Sequence, residues 1–269
     1  MTKGVVLFAS NNESVLYTDI AEECASRIHR HLNKPVSLIT STPEQIKNVS
    51  LFDKIIAVSE SDTTQHRKFY NGNQEAMLQW KNFSRADAYN LTPYEETLVI
   101  DVDYFLYTDK LNWCFDQPNN LVVAKHSQDL SYWRSDKEFQ TLGLSQIDFY
   151  WATVFFFRKN KETEIFFDLI SHIKDNWTFY KQTYQFSSRL YRNDFSFSIA
   201  AHLLKDLVTD LPFALHYITD RDVVLGIRDN CCKALIQQKG KSENYIISDI
   251  RNLDLHIMNK LALQELIYE

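Results

Sequence analysis

The segment Thr97-Leu98-Val99-Ile100-Asp101-Val102-Asp103 is the most informative part of this 269-residue chain. Its apolar half is typical of a strand buried inside a sheet. The two carboxylates are spaced i, i+2, so on a strand they point to one face while Val102 turns away. Two convergent carboxylates are natural ligands for Mg²⁺ or Mn²⁺ carrying a phosphate. The segment therefore predicts a metal site for a phosphorylated or nucleotide-linked substrate.

Strands and helices alternate on both sides of this segment. Apolar runs predict further strands at 5–9, 36–39, 54–59, 121–124 and 150–158. Helical spacing predicts helices at 16–32, 74–91, 161–176 and 194–207, and the closing segment 241–269 is expected to end in one more. In the helix at 161–176 the residues expected to face inward are Ile165, Leu169 and either His172 or Ile173. The order predicts an α/β domain with a mainly parallel central sheet flanked by helices.

Composition limits how this chain can hold a phosphate. The formal net charge is −6, which argues against binding nucleic acid through a broad positive field. There are only 5 Gly, and neither G-x-G-x-x-G nor G-x-x-x-x-G-K-[ST] occurs. Metal, Lys, Arg or helix N-termini must then hold the phosphate instead of a glycine-rich loop. In an open α/β sheet, the polar loop 10–14 and the Asp pair are expected to face one crevice beyond the strand ends.

Cysteine usage and hydrophobic run lengths bear on the compartment. None of Cys24, Cys114, Cys231 and Cys232 forms a C-x-x-C pair, which favours reduced thiols in a cytosolic protein. The apolar run near the N-terminus is shorter than a signal peptide requires, and no segment reaches the length of a membrane span. We expect a cytoplasmic protein that uses no membrane partner. The oligomeric state stays open.

The segment from Arg85-Ala-Asp-Ala-Tyr-Asn-Leu-Thr-Pro-Tyr94 through Asp103 resembles GT-A-fold glycosyltransferases. The likeness is to the glycogenin and galactosyltransferase-like branch with its phage-encoded relatives, and it extends more weakly over most of the chain. It implies a single GT-A (Rossmann-like) domain over 1–269. In that domain about 1–125 would form the nucleotide-sugar-binding half. About 126–269 would form the acceptor-binding half with a closing C-terminal segment, and a phage-encoded protein would act in the host cytoplasm.

The resemblance also implies roles for individual residues. Asp101 and Asp103 match the metal-binding D-x-D, and Asp254-Leu-His-Ile-Met-Asn-Lys260 resembles a late motif in which His256 is the third metal ligand. This late segment lacks the usual glycine and the Pro-Trp after the lysine. Catalytic roles fall on Asp103 and Asp194, although Asp194 could instead cap a helix. The implied donor contacts are Ala9, Ser10, Asn11, Arg85, Asp101, Val102 and Lys260.

Two further segments also have features of a binding site. Asp220-Arg221-Asp222 repeats the D-x-D spacing, but the arginine between its acids opposes metal binding. The stretch 177–197 carries eight aromatic residues with Lys181, Arg189 and Arg192 between them. It is either packing or a platform on which sugars or splayed bases stack.

The implied activity is metal-dependent transfer of a sugar, with retention of its configuration, from a nucleotide-diphosphate sugar. UDP-sugar is the expected donor and Mn²⁺ (or Mg²⁺) the expected metal. The acceptor hydroxyl would belong to a glycan, a protein, a small molecule or a hydroxymethylated DNA base, which must leave the stack to react. Two alternatives stay open. One is a haloacid-dehalogenase-like phosphatase with Asp101 as nucleophile, and the other is a non-catalytic module that binds sugar nucleotides or glycans.

Overall fold

The computed structural model describes residues 1–59, 64–72, 74–81, 85–131, 139–188, 190–238 and 244–268. The strands in chain order are β1 Lys3–Phe8, β2 Val36–Thr40, β3 Lys54–Ala57, β4 Thr64–Asn71, β5 Gln74–Lys81, β6 Glu96–Asp101, β7 Tyr104–Phe105, β8 Leu121–Ala124, β9 Ser127–Asp129, β10 Thr141–Leu142, β11 Ile147–Asp148, β12 Trp151–Arg158, β13 Thr209–Asp210, β14 Leu215–Ile218, β15 Val223–Arg228, β16 Cys231–Gln237, β17 Tyr245–Arg251 and β18 Leu255–Ile257. The helices are α1 Tyr17–Leu32, α2 Ala88–Leu91, α3 Trp113–Asp116, α4 Lys161–Asp175, α5 Trp177–Thr183, α6 Asn193–Leu203 and α7 Lys260–Tyr268.

The central sheet has seven strands in the order β13-β8-β12-β6-β1-β2-β3. All of its neighbouring strands run parallel except at β12, which is antiparallel to both β6 and β8. The predicted α/β class with a mainly parallel sheet is therefore confirmed. Because β12 runs backwards, its first residues lie at the same edge as the carboxyl ends of β1 and β6.

Continuous apolar strands place the core on both faces of this sheet. Val5, Val6 and Leu7 of β1 are fully buried, as are Leu98 and Val99 of β6. The helix α1 packs its stripe of buried residues against one side, and the stripe comprises Ile20, Cys24, Ile28 and Leu32. This is the stripe that the i+4 spacing predicted. Among the described residues, no helix is both long and apolar enough to cross a membrane.

The helix predicted at 74–91 is mostly wrong. Its first half is β5, which pairs antiparallel with β4 from Thr64↔Lys81 to Asn71↔Gln74. Only two residues separate the strands, and Gly72 lies between them in the left-handed region at φ +60°. Glycine adopts this conformation without the steric cost that other residues carry, so it favours a tight hairpin here. Of the predicted helix, residues 82–84 lie outside the described residues, and the described remainder forms α2 and the short 3-10 turn Arg85–Asp87.

The inward face predicted for the helix at 161–176 is also wrong in part. Ile165 is 46% exposed, whereas Phe166, Phe167 and Ile170 are buried. Ile173, which was predicted to face inward as the alternative to His172, is buried. The helix begins after Asn160, whose side chain accepts a hydrogen bond from Thr163 N in a capping box. The capping box and the buried pair Phe166 and Phe167 fix which face of α4 packs against the sheet.

A second, four-stranded sheet connects the closing segment to the Asp pair. Its order is β7-β18-β14-β9. In the antiparallel pair of β18 with β7, His256 lies opposite Tyr104. The amide of Ile257 donates a hydrogen bond of 2.8 Å to the carbonyl of Asp103. This backbone pairing places residue 256 beside residue 103, although 153 positions separate them.

Candidate active site

A cleft opens at the edge of the central sheet where β1 and β6 end. The first residues of β12, the start of α6 and the segment from β18 into α7 complete its walls. Most of the donor, metal and catalytic residues predicted from the sequence line it, namely Ala9, Ser10, Arg85, Asp101, Val102, Asp103, Asp194, His256 and Lys260. The crevice expected beyond the carboxyl ends of the strands is therefore present, and of the loop 10–14 that was expected to face it Ser10 is among the lining residues.

Asp101, Asp103 and His256 form the centre of this cleft. One potential ligand atom from each lies within 4.8 Å of the others. Asp101 ends β6, Asp103 follows two residues later, and β18 supplies His256. Asp103 and His256 are buried, at 3% and 8% exposure, so their positions are fixed by packing as well as by strand pairing.

Two cationic side chains already contact the carboxylates. Arg85 donates to Oδ1 of Asp101 from Nε at 3.2 Å and from Nη2 at 2.6 Å. Its guanidinium also lies over the ring of Phe8, 4.7 Å from the centroid. Lys260 Nζ lies 2.5 Å from Oδ2 of Asp103. His256 Nε2 lies 3.2 Å from that same oxygen.

These contacts set the protonation of the two carboxyls in opposite directions. Burial would raise the pKa of Asp103, but Lys260 and His256 outweigh it and hold this pKa well below its usual range. For Asp101 burial dominates, and its pKa is raised despite Arg85, with the Asp103 charge acting in the same direction as burial. Asp103 therefore stays ionised to lower pH than Asp101 does.

The donor set fits a divalent ion. An octahedral ion with ligand distances of about 2.1 Å has neighbouring ligand atoms roughly 3 Å apart. The 3.2 Å separation between His256 Nε2 and Asp103 Oδ2 matches such an edge. Two carboxylates with one imidazole suit Mn²⁺ or Mg²⁺ better than a metal that prefers thiolates.

Asp194 lines the cleft, but both of its oxygens are held by protein groups. Oδ1 accepts from the amide of Ala152 at 2.9 Å, and Oδ2 accepts from Arg192 Nε at 3.0 Å and Nη2 at 2.5 Å. Asp194 is not the N-cap of α6, because that position belongs to Arg192. Its carboxylate joins α6 to the start of β12 and fixes the Arg192 guanidinium at the cleft wall.

Asn11 is the one predicted donor contact that does not line the cleft. Its side chain is 5% exposed. It donates to Thr18 Oγ1 at 2.8 Å and to Gln45 Oε1 at 2.6 Å, while its own oxygen accepts from the amide of Thr18 at 2.8 Å. These bonds tie the loop after β1 to the first turn of α1. Asn11 therefore shapes the loop that carries Ala9 and Ser10.

Sequence reasoning missed the first residues of β12. Trp151, Ala152 and Thr153 line the cleft, but the sequence indicates only an apolar strand and not its direction. Trp151 is 2% exposed, and its indole Nε1 has no hydrogen-bond partner among the described residues. Its ring lies edge-on to the His256 ring, with centroids 6.4 Å apart. A buried donor without a partner is unusual in a folded protein, and this one lies beside His256.

The second D-x-D spacing is structural. Asp222 is fully buried and accepts hydrogen bonds from the amides of Thr219 and Gln237 at 2.7 and 2.8 Å. Asp220 accepts from the amide of Tyr70 at 3.1 Å, on the β4 side of the hairpin. The two carboxylates hold separate loops in place instead of converging on one point.

The aromatic stretch 177–197 packs mainly against itself. The Trp177 ring stacks on Phe195 at 5.7 Å and 9°, and on Phe186 at 5.5 Å and 16°. Phe179 is 63% exposed. Lys181 lies in α5, and Arg189 lies outside the described residues. The mutual stacking favours packing for these three rings.

No protein-family model matches this chain, and no curated protein matches it either. Solved structures to which it is similar include the glycosyltransferase GlyE of Streptococcus pneumoniae TIGR4, at 15% identity over 79% of this chain and 46% of that chain, with a TM-score of 0.45. Mouse xyloside xylosyltransferase 1 is similar at 14% identity over 78% of this chain and 85% of that chain, with a TM-score of 0.46.

The galactosyltransferase LgtC, solved with donor and acceptor sugar analogs, is similar at 13% identity over 77% of this chain and 72% of that chain, with a TM-score of 0.48. All three are glycosyltransferases, the class that the sequence resembles. This chain spans less than half the length of the GlyE chain. At these identities and TM-scores, the activity of this chain has to be argued from its own site.

Proposed function

We propose that this protein is a glycosyltransferase that moves a sugar from a nucleotide-diphosphate sugar, with UDP-sugar as the favoured donor, to a hydroxyl acceptor. The observation that carries the proposal is the convergence of Asp101, Asp103 and His256 within 4.8 Å in a cleft that also holds Arg85 and Lys260. Three ligands and two cations around one point match the needs of a diphosphate leaving group. The residue-level resemblance to GT-A-fold glycosyltransferases agrees with this chemistry.

The leaving diphosphate gains negative charge as the bond to the sugar breaks. A divalent ion on Asp101, Asp103 and His256 would supply Lewis-acid stabilisation of that charge. Arg85 adds charge-assisted hydrogen bonds from a guanidinium already oriented by Asp101 and Phe8. Ala9, Ser10 and Val102 line the same cleft and are proposed to border the donor.

The opposite wall is the proposed sugar and acceptor side. Asp194 acts there as a positioning residue, because both of its oxygens are already bonded to Ala152 N and Arg192. A retained configuration, which the resemblance implies, would need some group to stabilise the positive anomeric carbon. The donor half at about 1–125 and the acceptor half at about 126–269 meet at this cleft in the proposal.

The acceptor class is proposed at the level of a hydroxyl group. Glycans, proteins and small molecules fit the cleft chemistry, and a hydroxymethylated DNA base is a further candidate. The net charge of −6 and the mutual stacking of Trp177, Phe186 and Phe195 weigh against the DNA base. A gel shift with hydroxymethylated duplex at low salt tests it, and absence of binding would remove DNA from the candidates.

The test of the function is a panel of nucleotide sugars with Mn²⁺, read by release of the nucleoside diphosphate. We expect turnover of at least one donor, which EDTA abolishes. Asp103→Asn should lose this turnover, while the matched variant Asp220→Asn, at the second D-x-D spacing, should keep it. Loss in neither variant or equal loss in both would contradict the assignment.

Two controls separate the remaining classes of function. Release of phosphate from a simple phosphomonoester without nucleotide-sugar binding would favour the phosphatase with Asp101 as nucleophile. Tight donor binding without turnover, in the presence of every acceptor class, would favour a binding module.

A further inference from the structure

The ammonium of Lys260 contacts the carboxylate oxygen of Asp103 that a metal ion would need as a ligand. Its ammonium lies 2.5 Å from Oδ2 of Asp103, and His256 Nε2 lies 3.2 Å from that same oxygen. If His256 ligates an ion through Nε2, the carboxylate oxygen that completes the nearest ligand edge is this Oδ2. The ammonium and a divalent ion would then compete for one atom.

The charge count of the cleft supports this competition. With both carboxyls counted as ionised and His256 as neutral, Asp101 and Asp103 carry two negative charges and Arg85 and Lys260 two positive charges, so the cluster has no net charge before any ion binds. A divalent ion gains no net attraction from a neutral cluster, because the repulsion by the two cations offsets the attraction to the two carboxylates. The diphosphate of a nucleotide sugar would bring roughly two negative charges to the same place.

The backbone at Lys260 is anchored by its neighbours, so any movement of the ammonium would come from rotation of the side chain. Lys260 begins α7, and the Asn259 side chain before it accepts from the amide of Ala262 at 3.1 Å. The amide group of Asn259 in turn donates to the carbonyl of Asp222 at 2.8 Å and to Asn71 Oδ1 at 3.1 Å. Four carbons join the fixed backbone to the charge, which is enough for the ammonium to turn from Asp103 into the cleft.

We propose that Lys260 is a built-in counter-cation of Asp103 that a metal ion displaces, and that its release couples metal binding to diphosphate binding. The inference rests on the proposed function, since it needs the metal site and a diphosphate ligand. Without nucleotide the ammonium holds Asp103 and opposes the ion. When a diphosphate is present, the ammonium moves from Oδ2 to the phosphate oxygens, so the ion and the nucleotide bind with positive cooperativity.

The experiment is titration of Mn²⁺ by calorimetry, with free Mn²⁺ followed by electron paramagnetic resonance, in the absence and presence of UDP. For the wild type we expect weak Mn²⁺ binding alone and about tenfold tighter binding with UDP. Lys260→Met should bind Mn²⁺ alone about tenfold more tightly than the wild type and lose most of the enhancement by UDP. Lys260→Arg keeps the charge and should keep the weak binding.

The matched control is Lys125→Met. Lys125 is also partly buried and ion-paired, with Asp148 at 2.9 Å and Asp210 at 3.6 Å, but it does not line the cleft. It removes the same charge and should leave Mn²⁺ affinity unchanged. If Lys260→Met folds poorly, Lys260→Gln removes the same charge and carries the same test.

The outcomes separate the two claims. If the wild type binds Mn²⁺ and UDP but Lys260→Met binds Mn²⁺ no more tightly, the ammonium does not compete and this inference fails while the proposed function stands. If neither protein binds Mn²⁺ or UDP, both fail. If Lys125→Met tightens Mn²⁺ binding as much as Lys260→Met does, the effect is one of overall charge and the displacement is refuted.

Discussion

Replacing Asp103 by Asn tests both the stability and the chemistry of the cleft. Asp103 is 3% exposed and meets Lys260 and His256, whose side chains are 16% and 10% exposed. Removing one partner of a fully buried ion pair costs about 3–5 kcal/mol. Asparagine keeps an oxygen acceptor, and Lys260 can turn toward water, so we expect about 1–3 kcal/mol. For a chain of this size that lowers the melting temperature by about 2–5 °C.

The same variant has a pH signature that distinguishes a lost ion pair from a general packing defect. The folded pKa of Asp103 lies well below the ordinary 3.8, because Lys260 and His256 outweigh the effect of burial. Its stabilising contribution is therefore complete above the unfolded pKa and is lost as the pH falls toward the folded pKa. The difference in melting temperature between wild type and Asp103→Asn should be largest near neutral pH and shrink below about pH 4.

The assay pairs thermal melts at pH 7 and pH 3 with Mn²⁺-dependent release of nucleoside diphosphate. We expect turnover to fall by at least about a hundredfold, because a proposed metal ligand is lost. A stability difference that stays constant with pH would refute the ion-pair reasoning. Full turnover in a folded Asp103→Asn protein would refute the metal site.

Three further substitutions test other parts of the account. Phe166→Ala should lower the free energy of unfolding by about 3–5 kcal/mol because Phe166 is fully buried, whereas Ile165→Ala, at the exposed neighbouring position, should lower it by less than about 0.5 kcal/mol. Denaturant unfolding measures both values, and equal losses would contradict the buried face assigned to α4. Asp222→Asn should lower stability by about 1–3 kcal/mol without changing Mn²⁺ affinity, and altered metal binding in calorimetry would show that the second D-x-D spacing is not only structural. Arg85→Ala should raise the KM for the nucleotide sugar about tenfold or more, and an unchanged KM in steady-state kinetics would remove Arg85 from the donor site.

The sequence predicts the sheet well because its signals are local. The apolar runs of β1, β2, β6 and β8 are short, continuous and bounded by polar residues, and each appears as a strand within two residues of its predicted bounds. The Asp pair at the end of β6 follows from the same pattern, since strand geometry alone makes i and i+2 converge.

The errors arise where tertiary contacts override local spacing. The stretch 74–81 has residues at helical spacing, but the turn at Gly72 pairs it with β4, and an asparagine–glycine step before it was the available hairpin signal. In α4 the capping box at Asn160 and the sheet surface select Phe166 and Phe167, which spacing from Ile165 does not reveal.

The complete site required long-range pairing that no local pattern specifies. His256 reaches Asp103 because β18 pairs with β7, and the first residues of β12 reach the cleft because that strand runs antiparallel. His256 was found through a motif resemblance, while Trp151 offered no such signal. For Asn11 the loop position was predictable, but the direction of its side chain, which bonds to the first turn of α1, was not.

The most direct test of the metal site is a crystal structure of the protein with Mn²⁺ and UDP, with data collected at a wavelength where manganese scatters anomalously. We expect one anomalous peak bounded by Asp101, Asp103 and His256, at about 2.0–2.4 Å from its ligand atoms. We also expect Lys260 Nζ to contact the diphosphate instead of Asp103. An anomalous peak elsewhere, or none at this triad while UDP occupies the cleft, would contradict the central claim.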